Sequence, residues 1–209
     1  MVRDRLPAPP ARVVEIGCGR LGGFVPTLRS SGYEAVGVDR EAPDDVDYRR
    51  VHFEELEPRG DVDAVVAARS LHHVGDAGAV VDHVARALAP GGTLVVIEWN
   101  WEAFDEPTAE WCFQRLRPED GGWLQRRREE WVGSDRPWGV AMREWAEREH
   151  LHSVDTLLGL LDERFRREHL VEGPYFFPEL AETSEEDELE AIRAGQIRAT
   201  RVDYVGLLR

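Results

Sequence analysis

A short apolar run, Arg12 to Ile16 (RVVEI), leads straight into Gly17-Cys18-Gly19-Arg20-Leu21-Gly22-Gly23, and this junction constrains the chain more than any other feature. Glycines directly after a buried strand let the backbone turn with positive φ and let a ligand touch the main chain. From Gly22 to Ser31 the apolar residues Phe24, Val25 and Leu28 fall at helical spacing, Pro26 is tolerable in the first turn, and Gly32 stops the run. Glu34 to Val38 (EAVGV) then reads as a second strand ending on Asp39. Strand, glycine loop, helix, strand and acid make one βαβ unit, with parallel strands and a right-handed crossover.

The alternation continues with Tyr48 to Phe53 as a third strand, Val62 to Ala68 as a fourth and Thr93 to Trp99 as a fifth, each apolar enough for a sheet covered on both faces. A helix is predicted from about Asp76 to Ala89, with Asp76 as N-cap, Val80, Val84 and Leu88 along one face, and Pro90-Gly91-Gly92 ending it. Ser153 is placed to cap a helix carrying Val154, Leu157, Leu158 and Leu161. Phe165 to Phe177 and Ile197 to Leu208 read as two further strands, the last closing the sheet edge. Between them, Glu179 to Glu190 is acidic, and Thr183 and Glu186 have the spacing of a capping box, which predicts a surface helix with a solvated face. Residues 100–150 break the pattern. They are punctuated by glycine and proline, predict two or three short helices, and hold or border all seven tryptophans. This stretch is expected to be a cap inserted after strand five.

With 209 residues, 42% of them hydrophobic, the chain can bury one α/β domain. It lacks any apolar run near the ~20 residues of a membrane helix, and its N-terminus lacks a signal pattern, so a cytoplasmic location without membrane association is expected. Cys18 and Cys112 show no partner pattern and join no Cys/His cluster of metal-ligand spacing, so reduced thiols and no metal are expected. A formal charge of −15 argues against nucleic acid, whose phosphates need a basic stripe. All 26 cationic residues are arginine, and no function follows from that.

Spacing alone does not name the ligand of the glycine loop. Dinucleotide folds also place an acid about 20 residues after the first glycine, where Asp39 falls, so two cofactor classes share the fingerprint. In both, Asp39 would accept hydrogen bonds from ribose hydroxyls; capping a turn is the plainer alternative. Glu15, two residues before Gly17, is awkward for a pyrophosphate but suits a cofactor that brings an amino acid and a sulfonium.

The segments VVEIGCG, YEAVGVD, VHFEELEP, DAVVAARSLHHV and LAPGGTLVVIEW, in this order over about residues 11–100, resemble the class I S-adenosylmethionine-dependent methyltransferases. The branch most similar is the type 11 methyltransferase domain related to quinone-biosynthesis enzymes. The resemblance implies a Rossmann-like, doubly wound α/β fold. Its mostly parallel seven-stranded sheet would have an antiparallel last strand, with a helical cap after strand five. It further implies one methyltransferase domain over 1–209, made of a cofactor half (1–99), the Trp-rich cap (100–150) and a C-terminal part (151–209) that completes the sheet. The cofactor would be S-adenosylmethionine, with S-adenosylhomocysteine as product. Glu15, Gly17, Cys18 and Gly19 match the motif that wraps the methionine part, Asp39 the acid that holds the ribose, and Arg40 lies beside the adenine. His52, Phe53 and Glu54 match the segment that brackets the adenine ring; where relatives carry an aspartate this chain has His52, which leaves the Phe53 backbone to serve. Arg69 and Ser70 match the place where carbonyls face the cofactor's amino group.

Methyl transfer from a sulfonium is an in-line displacement in which the protein aligns a nucleophile and excludes water. A general base would help a hydroxyl or amine acceptor, and the candidates are His72 and His73 after strand four, with His150 and His152 in the cap. One of the adjacent pair His72-His73 is expected to hold its loop and do no chemistry; His83 and His169 read as surface residues. Trp99 and Trp101, leaving strand five at the ligand end, are expected to face a small aromatic or hydrophobic acceptor, with Trp111 and Trp145 packed inside the cap. Two other readings stay open: a fold of this kind that binds the cofactor without transferring methyl, and an NAD-dependent oxidoreductase. The total absence of lysine argues against the Tyr-Lys type of the latter.

Overall fold

The computed structural model describes residues 2–117 and 121–209. Its strands are β1 (Arg12–Ile16), β2 (Glu34–Val38), β3 (Tyr48–Arg49), β4 (Val62–Ala68), β5 (Leu88–Trp99), β6 (Phe165–Gly173) and β7 (Arg201–Leu208). They form one sheet in the order β3-β2-β1-β4-β5-β7-β6. Neighbours from β3 to β5 pair in parallel, and the β5-β7-β6 end is antiparallel. The last strand therefore does not close the sheet, as the linear reading expected; it lies between β5 and β6. Burial explains the placement. Val202 to Gly206 are buried without interruption, as an inner strand requires, whereas β6 exposes Arg166, Arg167 and Glu168, charges that blunt an edge.

Around the strands run α1 (Val25–Ser30), α2 (Ala77–Ala87), α3 (Glu106–Phe113), α4 (Trp123–Val132), α5 (Trp138–Arg148), α6 (Val154–Arg164) and α7 (Glu185–Arg193). By internal contacts the chain groups into two units. The first comprises the chain up to Glu98, Asp155–Val171 and Asp203–Arg209, and the second comprises Trp99–Val154 and Glu172–Val202.

In the first unit the period of two along β4 sends Val65 and Ala67 into one hydrophobic cluster, with Val80, Val84, Leu157 and Phe165. Ala64 and Val66 enter a second cluster, with Val13, Val25, Leu28 and Val95. Asp76 caps α2 as expected, its carboxylate accepting from the Ala79 N–H at 2.9 Å. The helix stops at Ala87, earlier than the Pro-Gly-Gly signal, because Leu88 already pairs with Val62 in the sheet. β3 likewise ends at Arg49, and Phe53 opens a short helical turn, its ring buried. His83, read as a surface residue, is buried: the inward face of α2 is wide enough to take it, edge-on to Phe53 with ring centroids 4.9 Å apart.

The second unit is built on rings, with Trp99, Phe104, Trp111, Trp138, Trp145 and Phe176 in one buried cluster. The capping box of α7 falls one residue later than expected: Ser184 Oγ accepts from Asp187 N (3.2 Å), and Asp187 accepts from Ser184 N (2.7 Å). Nor is the helix wholly solvated. Glu188 is 1% exposed and accepts from the N–H groups of Tyr175 (2.7 Å), Phe176 (3.2 Å) and Phe177 (2.7 Å).

Candidate active site

At the carboxyl ends of β1, β2 and β4 the first unit opens a cleft of about 620 Å³, within the usual size range of small-molecule sites. Three segments build it. Gly17 comes from the glycine loop, Asp39, Arg40, His52, Phe53 and Glu54 line it after β2 and β3, and Arg69, Ser70 and His73 line it after β4.

The glycine loop presses against the turn after β4. Gly17 has φ +76, and a Cβ there would stand 2.4 Å from the Ser70 Cβ, so no other residue fits. Glu15 does not line the cleft. It is 2% exposed, and its carboxylate accepts from the Phe24 N–H at 2.7 Å, beneath Gly23, where a Cβ would come within 2.2 Å of it. Burial raises its pKa to about 7, against the lowering effect of the Phe24 and Val25 N–H groups. The carboxylate read as a counter-charge to a sulfonium is thus the internal brace of the loop. Cys18 is buried too, its thiol pushed up to about 12 by burial first and then by the charges of Glu15 and Asp39. It contributes backbone and bulk, not a nucleophile.

Asp39 links β2 to this loop. One carboxylate oxygen accepts from the Gly19 N–H (3.0 Å), the other from the Glu41 N–H (2.7 Å). A carboxylate has about four acceptor positions, so it retains capacity for a ligand's hydroxyls. Phe53 supplies an apolar wall, and the exposed Arg40, His52 and Glu54 stand around it.

After β4 the chain enters the left-handed region at Arg69 (φ 55), whose N–H donates to the Ile97 carbonyl at 2.7 Å. The Ser70 hydroxyl is buried and has no hydrogen-bond partner among the described residues. The two adjacent histidines part ways. His72 is buried, with Nδ1 bonded to Glu98, while His73 is exposed on the cleft; their rings lie 4.1 Å apart. Glu98 escaped the sequence reading. It is an acid inside the apolar run of β5, 2% exposed, and it also accepts from the N–H groups of Ser70 (3.0 Å) and Leu71 (2.7 Å). A carboxyl buried in an otherwise apolar strand was its available signal.

Trp99, Trp101, His150 and His152 belong to the second unit. Trp99 is 5% exposed and packs against Phe104, Trp123, Trp145, Tyr175 and Phe176, so its faces are spent on the core instead of on open space. Trp101 donates its indole N–H to the His152 carbonyl at 3.2 Å. His150 is exposed, with φ 56. Trp111 and Trp145 are buried in the same aromatic cluster as Trp99.

Comparison with known proteins agrees with this architecture. The chain matches the family model of a methyltransferase domain over residues 2–164. It is 34% identical over 108 residues to the ubiquinone biosynthesis O-methyltransferase of Bradyrhizobium sp. (strain ORS 278), a match taking in 44% of this chain and 42% of that protein. The chain thus spans less than half of the curated relative's length. An S-adenosylmethionine dependent methyltransferase from Mesorhizobium loti superposes with TM-score 0.59 at 20% identity, covering 99% of this chain and 95% of that one. Geranyl diphosphate C-methyltransferase from Streptomyces coelicolor A3(2), solved with Mg2+, geranyl diphosphate and S-adenosyl-L-homocysteine, superposes with TM-score 0.57 at 18% identity, covering 99% and 76%. Such identities speak to fold alone. The family match over most of the chain, on a sheet whose glycine loop and following acid meet in one cleft, places the chain among the class I S-adenosylmethionine-dependent methyltransferases.

Proposed function

We propose that this chain transfers the methyl group of S-adenosylmethionine to a small aromatic or hydrophobic molecule, with the first-unit cleft as the cofactor site. The observation that carries this reading is the meeting of Gly17, Asp39 and the Ser70 turn in that cleft. The residues present fit the cofactor: Gly17 admits close backbone approach, Asp39 has acceptor positions to spare, and the buried Ser70 hydroxyl lacks a partner among the described residues. When bound, S-adenosylmethionine supplies a methyl group already activated by its sulfonium.

This chain's residues then bind and orient. The backbone of Gly17, Cys18 and Gly19 holds the methionine part on a loop braced by Glu15. Asp39 accepts from the ribose hydroxyls, and Phe53, flanked by Arg40, His52 and Glu54, covers the adenine. The Arg69 and Ser70 turn receives the amino group. His73, on the cleft, is the candidate to take a proton from the acceptor, and His72 is engaged with Glu98. Trp99, Trp101, His150 and His152 are the acceptor-contact candidates that the sequence offers. The relative's role in ubiquinone biosynthesis supports an aromatic acceptor, and the charge of −15 disfavours nucleic acid.

Thermal unfolding with added ligands tests the reading, because a ligand of the native state raises the midpoint with concentration. S-adenosylmethionine and S-adenosylhomocysteine are expected to raise it, and Asp39→Ala to weaken their binding about tenfold or more. Stabilisation by NADH alone overturns the assignment. Incubation with methyl-labelled cofactor and a panel of phenols, carboxylic acids and amines is expected to label one class. Binding without label in any of them indicates a protein that holds the cofactor without transferring methyl.

A further inference from the structure

Glu98 lies behind the cleft wall, yet it controls the turn that forms that wall. Its Oε1 accepts from the N–H groups of Ser70 and Leu71, and its Oε2 faces His72 Nδ1. These bonds reach back 26 to 28 residues along the chain. A carboxylate at 2% exposure is costly unless its oxygens are bonded, and here both are.

What these bonds fix is the direction of a peptide. In a trans peptide the N–H and C=O point opposite ways, so holding the Ser70 N–H on Glu98 turns the Arg69 carbonyl away from Glu98. Arg69 is itself in the left-handed region, which a residue with a side chain occupies when its surroundings impose it. Its N–H is held by Ile97 on the same strand as Glu98, so β5 grips the turn at successive amides. Arg69, Ser70 and His73 all line the cleft.

We infer that Glu98 is a positioning residue that aims the Arg69 carbonyl and the Ser70 hydroxyl at the ammonium group of the cofactor's amino-acid portion. The inference rests on the cleft being the cofactor site. A carbonyl pre-aimed at an ammonium makes a charge-assisted hydrogen bond, stronger than a neutral one, with no reorganisation on binding. His72, bonded to the same carboxylate, has its ring 4.1 Å from that of His73.

The test is calorimetric titration of the full chain with two ligands, S-adenosylhomocysteine and 5′-methylthioadenosine. The second shares the adenosine and thioether but lacks the amino acid. Glu98→Ala is expected to lose about tenfold or more in affinity for S-adenosylhomocysteine while staying within about threefold for 5′-methylthioadenosine. Glu98→Gln, whose amide oxygen can still accept from both N–H groups, is expected to recover most of the loss. Val205→Ala, a core truncation in the other hydrophobic cluster, is expected to lower stability and leave the ratio of the two affinities unchanged. Equal losses for both ligands in Glu98→Ala, or no loss for either, overturn the inference. Should Glu98→Ala fail to fold, the same ratio is read from Glu98→Leu, which fills the space but offers no acceptor, and an unchanged ratio there overturns it. If the wild-type chain binds neither ligand, the reading of the cleft falls instead.

Discussion

At the residue scale the site is a set of backbone approaches that side chains would spoil. Gly17 shows this most sharply, since its positive φ and its 2.4 Å clearance to Ser70 forbid a Cβ on two counts. Gly17→Ala is expected to cost about 2–4 kcal/mol from left-handed strain and overpacking together, measured by chemical denaturation, and to remove S-adenosylhomocysteine binding. A near-neutral effect would mean that the loop does not sit against the Ser70 turn. Glu15 makes a prediction in pH. Its pKa, ordinarily 4.5, is raised to about 7 by burial, so the folded state holds its proton more tightly than the unfolded chain. The stability this contributes is full below about pH 4.5 and is lost as pH rises through about 7. Glu15→Gln cannot titrate and keeps a carbonyl for the Phe24 N–H. Its melting temperature relative to wild type should therefore climb between about pH 5 and about pH 8, and a flat difference would contradict a raised pKa.

At the element scale, local chemistry sets what a linear reading can reach. β4 was legible to the residue because a fully buried parallel strand is a continuous apolar run, and the N-cap of α2 because Asp76 bonds only three residues ahead. The end of α2, the short β3 and the inner position of β7 depend on which strand pairs with which, and no local signal states that. The same holds at the site. The glycine loop, Asp39 and the paired histidines announce themselves by spacing, whereas Glu98 and Glu188 act on amides far away in sequence or on another element. Glu188 makes the energetic stake plain. Glu188→Ala would leave the Tyr175, Phe176 and Phe177 N–H groups without their acceptor, at an expected cost of about 3 kcal/mol or more. Glu186→Ala, on the same helix but exposed and paired with Arg193, is expected to cost under about 1 kcal/mol. Urea unfolding curves of the two variants check this, and comparable midpoints would show that the three bonds carry little weight.

At the scale of the whole molecule, the aromatic residues divide the spectroscopy as they divide the sequence. All seven tryptophans belong to the second unit, while the cleft residues belong to the first. Tryptophan fluorescence therefore reports on the second unit, and far-ultraviolet circular dichroism reports on both. Strands β5, β6 and β7 each run through a boundary between the units, so neither unit can lose its strands without fraying those of the other. That continuity predicts a single cooperative transition, with fluorescence and dichroism melting at the same temperature. S-adenosylhomocysteine at about 100 times its Kd should add about 2.7 kcal/mol and raise both midpoints together, although no tryptophan is among the described residues that line the cleft. If the dichroism midpoint rises while the fluorescence midpoint stays, the two units unfold independently, and the shared strands do not couple their unfolding.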